Sequence, residues 1–156
     1  MSVCVVGQPV RHADVRYEGE RTMKRSELRE HLFLMLFCKD FHETEELEEQ
    51  AKFYLESLEE PKAKDMEYLE KRFADVLKVV GEIDSKIEES SKGWQLKRIG
   101  KVELTIMRLA VYEIKYDEEI PTGVAINEAV ELAKKFGEDN SGSFVNGILA
   151  KIANEA

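Results

Sequence analysis

Between Met66 and Ile87 the apolar residues Met66, Leu69, Phe73, Val76, Val80, Ile83 and Ile87 follow one another in alternating steps of three and four, the rhythm of one face of an α-helix. A strand cannot use that spacing, because its successive side chains alternate faces with a period of two. Elsewhere no sustained alternation of apolar and polar residues appears, and no hairpin turn joins two β-branched runs. The expected fold is therefore all-α, with six to seven helices, in one domain or in two small subdomains that share a core. The long stripe would also suit a coiled coil between copies, but the core of a single chain needs the same face.

The other segments repeat the pattern in shorter form. Leu28, Leu32, Met35 and Leu36, thickened by Phe33, Phe37 and Phe41, predict a first helix apolar enough to sit centrally. Glu43 to Glu60 reads as an acidic amphipathic helix burying Leu47, Ala51, Leu55, Leu58 and either Tyr54 or Phe53. Ser90, Ser91 and Gly93 break the chain before Trp94, and Val102, Ile106, Leu109 and Ala110 begin another stripe that continues to Glu113. A carboxylate in such a position needs donors. The free N–H groups at the start of the helix after Pro121 could supply them. Arg108 is offset from Glu113 by five residues, so the two share no helical face.

The stretch from Ile120 to Gly147 predicts two further helices around a hinge. Ile126, Ala129, Val130, Ala133 and Phe136 form one stripe, Gly137 stops it, and Phe144, Val145, Ile148, Leu149 and Ile152 form the next. Asn127 and Asn146 stand beside these stripes, and Gly147 lies inside a helix, where glycine costs about 1 kcal/mol relative to alanine. We expect close packing between the two helices, with the amides bonded across them. Arg108, Glu113, Asn127, Asn146 and Gly147 are accordingly read as structural residues.

Composition bears mainly on function. With 35% charged and 43% hydrophobic residues, only three prolines and no run near a membrane span in length, the chain reads as soluble and cytoplasmic. The segment 1–22 shows no periodicity and is expected to be an irregular or disordered tail, with Met23 a candidate start and 23–156 the helical domain. Cys4 and Cys38 are too few for a disulfide framework, and the first residues lack the build of a secretory signal. The net charge of -9 argues against a general nucleic-acid binder.

Signatures of catalysis are missing: no phosphate-binding glycine loop, no HExxH and no serine elbow. Cys38 and His42 are spaced like two metal ligands on a helix, but two more have no source in the sequence. Neither an enzyme nor a cofactor or metal is expected. One polar group stands out at the start of the first helix, Lys24, Arg25 and Arg29 with His31 nearby. Cations there oppose the helix dipole and suit an external anion such as phosphate.

The residues Trp94, Ile106 to Glu113, Ile120-Pro121, Val124 to Lys134 (VAINEAVELAK) and Phe144 to Leu149 (FVNGIL) together resemble the NusB family of bacterial transcription antitermination factors, over roughly 24 to 153. The resemblance implies an all-α fold of two packed helical subdomains, about 24–90 and about 94–155. It also implies binding to boxA RNA of ribosomal RNA leader transcripts jointly with NusE, a ribosomal small-subunit protein, within an RNA polymerase antitermination complex. Carried over by position, the RNA-binding residues are Lys24, Arg25, Arg29, Tyr68, Asn140 and Phe144. The first helix is less basic than is usual in the family, which predicts weaker intrinsic RNA affinity. An acidic body could instead hold a basic ribosomal protein, with Glu43 to Glu49 a candidate contact beside its plainer reading as a solvated face. Two alternatives are a protein-interaction module without RNA binding and a remnant of an RNA methyltransferase N-terminal domain. Against the second, the chain runs only to Ala156, which leaves no room for a cofactor-binding domain.

Overall fold

The computed structural model describes residues 23–155, so the expectations for the tail 1–22 and for Cys4 lie outside the described residues. Among these residues there are seven α-helices and no strand. The helices are α1 (Arg25–Phe37), α2 (Thr44–Glu56), α3 (Ala63–Lys78), α4 (Val80–Ser90), α5 (Lys101–Tyr116), α6 (Thr122–Phe136) and α7 (Ser141–Asn154). Short 3₁₀ turns at Cys38–Phe41 and Leu96–Arg98 complete the order. The fold class is the all-α one expected.

Two compact units divide between Phe73 and Ala74, inside α3. In the first unit α1 buries Leu32, Phe33, Met35 and Leu36, and α2 contributes Leu47 and Leu55. Phe33, Phe37 and Phe41 form a ladder with centroids 5.9 and 5.5 Å apart. Phe53 is 58% exposed, so Tyr54 is the inward partner on α2.

The second unit is organised around α5, which packs against α4, α6 and α7. Every residue from Leu104 to Val111 is buried. Over this central stretch α5 is enclosed on all sides, as no stretch of α1 is. Two other expectations are corrected here. The stripe from Met66 to Ile87 is divided by Val79, whose φ of -114° and ψ of 16° leave the helical region. Two β-branched residues followed by Gly81 are weak helix formers, and the periodic pattern continues across the break without needing one straight axis.

The second correction concerns the amides. Asn127, Asn146 and Gly147 are all exposed, and a Cβ at Gly147 would meet nothing within 4 Å. The face that α6 buries is Ala125, Ala129, Leu132 and Ala133. Small alanines let α6 and α7 approach without help from amides or from Gly147. Arg108 and Glu113, by contrast, are buried as expected at 3% and 1% exposure. Arg108 forms a two-pronged pair with Asp84 on α4, Nε to Oδ1 at 2.8 Å and an N–H of its terminal nitrogen to Oδ2 at 2.9 Å.

Candidate nucleic-acid interface

At the start of α1 the chain leaves an extended residue, Lys24, and turns into helix with no side-chain cap. The Met23 backbone N–H donates to Oδ2 of the buried Asp65 at 2.8 Å, which pins the approach to the helix. Lys24 and Arg25 are thereby held at a fixed, exposed position. Arg29, one turn on, points inward, with 6% exposure and interactions of its own within the protein. The three cations expected together are thus two at the surface and one beneath.

His31 places Nδ1 2.6 Å from the Tyr54 hydroxyl, with the rings edge to face. Burial lowers its pKa, against the pull of Glu27, Glu30 and Asp65 in the opposite direction. The ring is therefore a neutral hydrogen-bonding strut between α1 and α2 and not part of the cationic group. Tyr68 is half-exposed on α3, and the Arg72 guanidinium lies over its ring at 5.2 Å. One aromatic face is occupied by that cation.

The second group of expected residues lies in the second unit, around the hinge between α6 and α7. Gly137 ends α6 with its N–H on the Ala133 carbonyl at 2.8 Å. A Cβ there would stand 2.5 Å from Ser141 Oγ and 2.8 Å from the Ala133 oxygen, so no larger residue fits. Ser141 is 1% exposed. Its hydroxyl accepts from the Glu138 N–H at 2.8 Å and donates to the Glu103 carboxylate on α5 in a short hydrogen bond. Asn140, caught between these bonds, is exposed with a side chain that does not cap α7. Phe144 is half-buried one turn further, and its ring meets Trp94 edge-on at 6.0 Å.

An open groove of about 720 Å³ runs between α6 and α7, lined among others by Asn127, Val130, Lys134, Gly142 and Asn146. The amides expected to lock the helices are its polar rim. The serine–carboxylate link to Glu103 had no signal in the sequence, because neither residue interrupts a stripe or breaks a local rule. Trp94 was legible only as a landmark, although Lys92, Lys97 and Arg98 flank it in the sequence. Cys38 and His42 do not converge on a common point: the thiol lies 4.0 Å from the Leu34 carbonyl and the imidazole 3.4 Å from Glu46.

Among the described residues no helix is long and apolar enough to cross a membrane. The NusB family model matches residues 26–154. A transcription antitermination protein NusB of Lachnoclostridium phytofermentans is 58% identical over 130 residues, covering 83% of this chain and 98% of the relative. That of Agathobacter rectalis is 49% identical over 131 residues, 84% of this chain and 100% of its own length. Among solved structures, NusB of T. maritima superposes with a TM-score of 0.79 at 34% identity, over 86% of this chain and 94% of that one. A chain of the complex of antitermination factors NusB and NusE with dsRNA matches with a TM-score of 0.72 at 29% identity, over 85% and 97%. With the match reaching from the first turn of α1 to the last residue of α7, the chain belongs to the NusB family.

Proposed function

We propose that this protein is a cytoplasmic, non-enzymatic transcription antitermination factor that binds boxA RNA of ribosomal RNA leader transcripts jointly with the ribosomal protein NusE, inside an RNA polymerase antitermination complex. The observation that carries the reading is the likeness, along nearly the whole chain, to a protein solved with NusE and RNA. Two features of the molecule support it. Exposed Lys24 and Arg25 on a tethered helix start offer phosphate contacts, while Asn140 and Phe144 offer a polar contact and an aromatic edge at a braced hinge. Arg29 acts from beneath the surface by fixing α1, and Tyr68 is half-exposed with the Arg72 guanidinium over its ring. A chain of net charge -9 gains little from RNA alone and has an electrostatic reason to bind a basic protein first.

Gel-shift titration of a boxA-like single-stranded RNA, with and without NusE, tests the joint reading. Affinity should rise by an order of magnitude or more when the partner is present, since linked contacts add without new ordering cost. Equal affinity in the two titrations would remove the joint-reader proposal.

A further inference from the structure

The turn between α4 and α5 carries an arrangement that the family likeness does not assign. From Ser90 to Val102 the chain holds Lys92, Lys97, Arg98 and Lys101 and not one acidic residue, in a protein with 32 acidic and 23 basic side chains. Trp94 stands in the middle of this segment and is 50% exposed. Lys92, Lys97 and Arg98 are exposed as well, and none of the three pairs with a carboxylate among the described residues.

The indole is held in place by the turn below it. Lys92 and Gly93 both adopt positive φ, 44° and 87°, which reverses the chain tightly. The Trp94 N–H donates to the Ser91 carbonyl at 3.2 Å, and the hydroxyl of buried Ser91 lies 3.0 Å from the Trp94 carbonyl and 3.1 Å from that of Glu88. The Leu96 N–H closes the turn on the Glu88 carboxylate at 3.3 Å, and Ile99 anchors the following residues in the core. Phe144 supports the ring from one side with an interplanar angle of 75°. One ring in edge-to-face contact covers at most one side of the indole, which stays half exposed. A held, half-exposed aromatic ring with exposed cations on either side of it in the chain is the build of a single-stranded nucleic-acid contact, in which a base stacks and its flanking phosphates find positive charge. A basic protein partner would be repelled by the same segment.

We propose that Trp94 is a stacking platform for one unpaired base of the bound RNA, with Lys92, Lys97 and Arg98 taking the neighbouring phosphates. This rests on the RNA-binding function proposed above and extends it to a segment outside α1 and the α6–α7 hinge. Because the turn is already ordered, stacking costs little conformational entropy on the protein side.

Trp94 is the sole tryptophan of the chain, so intrinsic fluorescence reports on this residue alone. The full chain is titrated with a boxA-like single-stranded RNA while emission and gel shift are followed in parallel. Emission should be quenched with the same midpoint as the shift, a fully paired duplex should not quench it, and Trp94→Ala should weaken single-strand binding about tenfold. Trp94→Phe, which keeps an aromatic face, should lose no more than about threefold. A shifted RNA with unchanged emission, or unchanged affinity in Trp94→Ala, would overturn the stacking role and leave the RNA-binding function standing. No shift at all would remove both. A change of emission on adding NusE without RNA, with Trp94→Phe as the blank for the partner's own signal, would assign the ring to the protein interface and overturn the proposal. If Trp94→Ala fails to fold, the unmodified chain's titration still decides.

Discussion

Gly137 and Gly147 sit ten residues apart in one helical hairpin, and their surroundings give them opposite tolerances. A methyl group at Gly137 would collide with the Ser141 side chain and the Ala133 carbonyl oxygen, and that oxygen belongs to helix backbone. Gly137→Ala should therefore destabilise the protein by about 2 kcal/mol, as overpacking of a close contact does. Gly147 has open space around it inside a helix, so Gly147→Ala should stabilise by up to about 1 kcal/mol. Urea unfolding of the two variants checks the pair; a loss of stability in Gly147→Ala would contradict the open environment. In the sequence the two glycines invited opposite readings, a helix stop and a close-packing residue. Only the first could be read correctly, because a stop is a local property whereas the packing of an interior glycine depends on a neighbour that the pattern does not name. The same reason explains Asn127 and Asn146: a position one step from a stripe lies at the edge of the buried arc, and which side of that edge it takes is decided by the neighbouring helix, which the pattern does not name.

Helices were legible because their signal is periodic and repeated. Breaks and tertiary partners were not, since Val79 interrupts the helix without interrupting the pattern. The link between α4 and α5 illustrates the second kind of gap. Arg108 stands out in the sequence as a cation within an apolar run, but its partner Asp84 is an ordinary acid on an acidic segment. Removing one member of such a buried pair leaves the other poorly solvated. Arg108→Met should cost about 3 kcal/mol in stability, with RNA affinity unchanged wherever the variant is folded. Chemical denaturation and gel shift together test this, and a stability change below about 1 kcal/mol would show that the pair does not tie α4 to α5.

For the whole molecule, charge decides more than shape. With 32 acidic against 23 basic residues, attraction to RNA must come from a few local cations, and the dependence of binding on salt counts them. Replacing Lys24 and Arg25 together with alanine should lower the slope of log affinity against log salt by about 1.4 for a single-stranded RNA. A slope equal to that of the unaltered chain would place both side chains away from the phosphates. The overall architecture was legible from one rhythm of apolar residues, and the family from a few blocks, while the division at Phe73 was hidden within a continuous helix. Added length is also tolerated unequally along this chain. The exposed residues around Glu59 and Glu60 can absorb an insertion at little entropic cost. At the Glu138–Ser141 hinge one hydroxyl meets both a backbone N–H three residues away and a carboxylate on α5, so the number of residues there is as fixed as their identity.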